Sequence, residues 1–177
     1  MKKKPTRISI KEMCIFSMLG TIMFLSKIVM ELLPNIHLIG TLIGAYTIVY
    51  RKKALIPLYI YVLLVGVYGG FNLWWVPYIY IWTLLWGAFM LLPKSIPPKI
   101  QYIIFPLIAC VHGLLYGTLY APAQALMFGF GFKQTIAWII AGLPFDIIHA
   151  IGNLVLGVLI PPLVKLLTKL SKEIKII

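Results

Sequence analysis

Long apolar stretches, broken by short polar or basic clusters, dominate the chain. Their lengths predict hydrophobic helices over about 12–33, 36–50, 54–71, 75–92, 101–120 and 136–167. The breaks carry turn and charge signals. Leu33-Pro34-Asn35 closes the first stretch, Arg51-Lys52-Lys53 separates the second and third, and Gly69-Gly70-Phe71-Asn72 closes the third. Pro93-Lys94-Ser95-Ile96-Pro97-Pro98-Lys99 separates the fourth and fifth, and 120–133 reads as a long loop that could hold a short helix. Several stretches fall short of the roughly 20 residues that cross a bilayer comfortably, so they are either buried within the bundle or longer than the pattern shows.

Composition decides what these stretches face. The 177 residues are 62% hydrophobic and only 11% charged, against roughly 25% charged in a soluble domain. So few charges cannot cover a water-facing surface. The reading is an all-α integral membrane protein: one domain, 1–177, folded as a compact bundle of six transmembrane helices. A basic arm (1–11) precedes it and a basic tail (168–177) follows. The arm and the long apolar run behind it lack a small-residue cleavage site and read as a retained first helix.

The net charge of +12 raises nucleic acid as a partner, but the basic residues gather at the ends of apolar stretches and form no stripe that would track phosphates. Instead they orient the chain. Lys2, Lys3, Lys4, Arg7, Lys11, Arg51, Lys52, Lys53, Lys94, Lys99, Lys165, Lys169, Lys172 and Lys175 fall on one side; only Lys27 and Lys133 fall elsewhere. An even number of spans with both termini in the cytoplasm satisfies the positive-inside rule. Pairs of small residues, Gly40/Gly44, Gly113/Gly117 and Ser17/Thr21, would let helices approach closely. Cys14 and Cys110 lie inside apolar stretches and read as packing residues.

With that topology, the outer half gathers most aromatic and polar chemistry. All five tryptophans (Trp74, Trp75, Trp82, Trp86, Trp138) lie in or near it. An interfacial belt should mark both faces, so a one-sided cluster favours a stacking pocket for a flat ligand. Asp146, His149 and Asn153, spaced by 3 and 4, share one face of the last helix, just after Pro144. His112, Tyr116 and Tyr120 share a face of the fifth. The two faces are expected to meet inside the bundle. Ionisable groups within spans are costly and default to functional candidates, the alternative being a structural hydrogen-bond cluster. Asn153 fits helix locking better than ligand contact. The candidate binding set is Glu31, Asn72, Trp74, Trp75, Tyr78, Trp82, His112, Tyr116, Tyr120, Gln124, Trp138, Asp146, His149 and Asn153. Lys27 and Glu31, four apart, either pair with each other, snorkel, or leave Glu31 to a cationic ligand. His37 is placed at the interface, and Gln124 in a loop that would close over the pocket.

No GxxxxGK[ST], HExxH, CxxC or GxSxG pattern occurs, and no two-fold internal repeat. The chain has no cofactor motif and no energy source of its own.

In size, six-span plan, basic N-terminal arm and aromatic outer loops, the chain resembles the S components, the substrate-specificity subunits, of energy-coupling factor (ECF) vitamin transporters. The stretch Ala141-Gly142-Leu143-Pro144-Phe145-Asp146-Ile147-Ile148-His149-Ala150-Ile151-Gly152-Asn153 is similar to their sixth-helix signature. The resemblance implies a multi-pass protein of a bacterial-type cell membrane. Such a protein would bind a vitamin-like molecule in an outer pocket under the loops after the first, third and fifth helices. It would then dock on a membrane coupling subunit carrying two ATPases and topple to deliver its cargo. The family's AxxxA docking motif has its nearest match in Ser17-Met18-Leu19-Gly20-Thr21. Aromatics with acids at Glu31 and Asp146 suit a flat, cationic heteroaromatic compound, thiamin or its pyrimidine precursor first, with riboflavin, a pterin or a tryptophan-like compound as alternatives. Two other readings stay open: a membrane enzyme using Asp146 and His149 as an acid–base pair, and a structural membrane protein without ligand.

Overall fold

A computed structural model describes residues 8–93 and 95–177 of the chain. The basic residues Lys2, Lys3, Lys4, Arg7 and Lys94 used for orientation lie outside the described residues. Those described fold into eight α-helices with no strand: α1 (Ile10–Val29), α2 (Ile39–Tyr50), α3 (Leu55–Gly69), α4 (Tyr78–Met90), α5 (Pro98–Leu114), α6 (Tyr116–Phe128), α7 (Phe132–Gly157) and α8 (Ile160–Glu173). Short 3₁₀ turns cover Met30–Leu32, Arg51–Ala54 and Leu73–Trp75. Among the described residues, four helical stretches are long and apolar enough to cross a membrane: Ile10–Leu32, Leu73–Met90, Pro98–Phe128 and Phe132–Gly157.

α1 starts where Ser9 caps it. The Ser9 hydroxyl accepts the Glu12 N–H (3.2 Å), and the Glu12 carboxylate accepts the Ser9 N–H (2.9 Å). Glu12 also pairs with Lys53, tying the foot of α1 to the turn before α3. α2, with 12 residues, spans about 18 Å and falls short of a bilayer core of about 30 Å. The shortness has a physical reason: α2 is buried along most of its length, inside the bundle. Its Gly40 abuts Asn153 of α7, and its Gly44 abuts Phe89 of α4 and Ile160 of α8.

Two expected boundaries are corrected. The segment 120–133 is mostly helix: α6 runs to Phe128, leaving only Gly129–Gly131 as a connection. Pro122 lies inside α6, at the cost of one backbone hydrogen bond, which helices of membrane proteins tolerate. The last stretch, read as 136–167, is two helices. Pro161 and Pro162 have no N–H to give to the carbonyls of Gly157 and Val158, so α7 ends and α8 begins there. α8 then runs into the basic tail.

Gly113 and Gly117 face α7. A Cβ on Gly113 would fall 2.8 Å from Asn153 Nδ2, and one on Gly157 would fall 2.6 Å from Pro106 Cα, so α5 and α7 meet nearly backbone to backbone. The Ser17/Thr21 pair does not join helices within the chain. Both residues are exposed, and the Thr21 hydroxyl donates to the Ser17 carbonyl of its own helix (2.9 Å). It is Gly20 that packs α1 against Pro57 and Ile60 of α3.

Candidate functional site

The site originates in a break. Between α5 and α6 the helix lapses at Leu115, and the first N–H groups of α6 lose their helical acceptors. Asp146 of α7 supplies one in their place. Its Oδ1 and Oδ2 accept the Gly117 N–H at 3.0 and 3.1 Å, and the carboxylate sits at the positive end of the α6 dipole. Gly117 permits this approach because it has no side chain: a Cβ would lie 2.6 Å from Asp146 Oδ2.

The cavity beside this contact has a volume of about 270 Å³. α6 contributes Tyr116, Gly117, Tyr120 and Gln124; α7 contributes Trp138, Gly142, Phe145, Asp146 and His149; Asn35 comes from the α1–α2 connection. Tyr120 and Trp138 stack across it, with centroids 5.9 Å apart and planes 23° apart. Tyr116 lies against His149 at 4.8 Å. Beneath them Trp82 of α4, 2% exposed, packs against Tyr116, His112, His37, Tyr78 and Tyr61. His37 is turned into this cluster rather than left at an interface, and its Nε2 lies 2.7 Å from His149 Nε2. At that distance one nitrogen carries a proton and the other accepts it. Gln124 Oε1, Trp82 Nε1 and His37 Nδ1 are buried without a hydrogen-bond partner. Unpaired buried polar atoms are rare in folded proteins, and these cluster in and beneath one cavity.

Six of the residues singled out from sequence line this cavity: Tyr116, Tyr120, Gln124, Trp138, Asp146 and His149. The others lie elsewhere. Trp82 and Tyr78 form its underlayer. His112 is held to the Ile81 carbonyl (3.1 Å). Trp74 reaches the site through its backbone, its carbonyl accepting the Tyr120 hydroxyl (2.7 Å). Trp75 donates its indole N–H to the Val62 carbonyl (2.8 Å), and Asn72 is exposed in the α3–α4 connection. Asn153 donates to the Ala109 carbonyl (3.0 Å), locking α7 to α5. Glu31 lies outside the cavity, exposed and paired with Lys27 at 2.6 Å.

Asn35, Gly117, Gly142 and Phe145 complete the lining and are not in the candidate set. Trp138, Gly142, Phe145 and His149 recur at helical spacing, which carried the signal for the α7 members. Asn35, at φ +61°, depends on how the α1–α2 connection folds back. A larger groove of about 360 Å³ is walled by aliphatic side chains such as Leu84, Leu107 and Val111, with His112 the one polar residue, and gives a ligand little to anchor to.

No protein-family model matches the chain, and no curated protein or solved structure shows significant similarity to it. Sequence and fold define a class: an all-helical protein with helices fit to cross a membrane and a small aromatic cavity between two of them.

Proposed function

We propose that the chain is the substrate-binding subunit of an ATP-driven importer of the ECF type, capturing a water-soluble vitamin or related small heteroaromatic molecule. The observation that carries this reading is the cavity of about 270 Å³ walled by Tyr116, Tyr120 and Trp138 beside the buried Asp146. That volume and lining suit one small flat ring system. In this reading α1, α2, α3, α4, α5–α6 and α7–α8 make six spans of a compact bundle in a bacterial-type cell membrane, with both termini cytoplasmic and the cavity toward the outside. The turn carrying Arg51, Lys52 and Lys53 and the end of α8, joined through the Tyr50–Ser171 hydrogen bond (2.9 Å), then lie at a basic cytoplasmic end. A thiamin-like compound is the first ligand to try. The exposed face of α1 around Ser17 and Thr21 is where a membrane coupling subunit, carrying two ATPases, would dock.

Binding is favoured over acid–base catalysis by how the two titratable groups are occupied. Asp146 bonds the Gly117 N–H and His149 faces His37, so neither activates the other. The test is equilibrium binding of a vitamin panel to the purified protein and to Trp138→Ala. Saturable binding by wild type, weakened at least tenfold in Trp138→Ala without product formation, supports the reading. Turnover by the chain alone, or no binding across the panel, refutes it.

A further inference from the structure

The charge balance of the cavity points to the charge of its occupant, an inference that rests on the binding-site reading above. Asp146 is the one Asp, Glu, Lys or Arg lining the cavity, and it is 3% exposed. Its carboxylate accepts a single N–H, that of Gly117. Among the described residues the ion pairs are Lys27–Glu31 and Lys53–Glu12, and neither involves it. The α6 N-terminus compensates part of its charge. A buried carboxylate in a membrane-embedded bundle normally has a full cationic partner or a water-filled cavity in front of it. His149, the one imidazole in the lining, shares its Nε2 contact with His37, which holds only while one of the two rings is unprotonated at that nitrogen. Among the uncharged polar side chains of the wall, which include Asn35, Tyr116 and Tyr120, Gln124 presents a buried acceptor, Oε1, with no donor. The cavity thus offers a carboxylate and an unpaired acceptor beside an aromatic shelf, with no Lys or Arg among the described residues of its lining to hold an anion.

We infer that the site takes a cationic aromatic ligand bearing hydrogen-bond donors, with Asp146 as its counter-ion and Gln124 accepting a second donor. It turns away carboxylated or phosphorylated relatives of the same ring. The cation also gains from the faces of Tyr120 and Trp138.

The test is thermal stabilisation of the purified full chain by matched cationic, neutral and anionic derivatives of pyridine, pyrimidine and quinoline rings, followed by titration of those that stabilise. Stabilisation by a cationic member alone within its matched set is expected, with affinity falling roughly 30-fold in Asp146→Asn, the loss of one charge-assisted contact. Asn keeps an oxygen for the Gly117 N–H. If that variant fails to fold, Gln124→Lys serves instead: a cation in the cavity that Asp146 also lines should raise the midpoint of the ligand-free protein and abolish cation binding. A neutral or anionic member that binds as well as its cationic partner, in a Trp138-dependent way, overturns the charge assignment and leaves the binding-site reading standing. Cation binding unchanged in Asp146→Asn, or in Gln124→Lys, also overturns it. Stabilisation by no member of any set overturns it together with that reading.

Discussion

A single methyl group at Gly117 tests whether Asp146 is held as described. In Gly117→Ala the new Cβ would lie 2.6 Å from Asp146 Oδ2 and 3.3 Å from both Oδ1 and Cγ. The carboxylate must retreat by most of an ångström, which stretches or breaks both contacts to the Gly117 N–H at 3.0 and 3.1 Å. A lost hydrogen bond to a charged acceptor costs about 1.5–3 kcal/mol, and overpacking a filled site about 1–3 kcal/mol. Because one motion of the carboxylate relieves the clash and breaks the bond, the two overlap, and a net destabilisation of about 2–4 kcal/mol is expected. Gly142→Ala is the matched control. Gly142 lines the same cavity, yet a Cβ there meets nothing within 4 Å. Replacing a mid-helix glycine by alanine should then stabilise by about 0.5–1 kcal/mol. Thermal unfolding in detergent, followed by tryptophan fluorescence, reads both. The midpoint should fall by several degrees in Gly117→Ala and stay level or rise in Gly142→Ala. A Gly117→Ala protein as stable as wild type would refute the packing of Asp146 against α6.

Other consequences are simpler to read. Tyr50→Phe leaves the buried Ser171 hydroxyl without its partner at 2.9 Å and should cost about 1–2 kcal/mol in thermal unfolding. Adding Ser171→Ala should cost less than the sum of the single changes, a coupling that a double-mutant cycle measures. Asn153→Ala should lower stability by about 1 kcal/mol by releasing the Ala109 carbonyl, while equilibrium titration finds ligand affinity within about twofold of wild type, since Asn153 lies outside the cavity.

How much of this was legible in the sequence depends on the range of the interaction. The basic cluster at 51–53 and the proline–glycine breaks are local signals, and they place the ends of α1 to α4 within a few residues. α6 was hidden because Ala121-Pro122-Ala123 carries the residue that most often ends a helix, and only packing against α7 and the cap from Asp146 shows that the helix persists. The split before α8 needed Pro161 and Pro162 to be weighed against the strong apolarity around them. In the site, helical spacing put Tyr116 with Tyr120 and Asp146 with His149 and marked two polar faces expected to meet, while the contact itself, with Gly117 against Asp146, shows only in the fold. Asn35 and His37 arrive from a connection whose path no periodicity encodes. Lys27 lies one turn from Glu31, so spacing alone admitted either an ion pair or a ligand site there.

Whether this cavity holds a small aromatic solute for import, as proposed, is read by native mass spectrometry of the chain gently purified from its own membranes. A bound molecule in the vitamin mass range is expected, absent from Trp138→Ala, with a membrane coupling subunit and ATPases recovered under the mildest conditions. A wild-type chain that emerges from rich medium with neither ligand nor partner would contradict it.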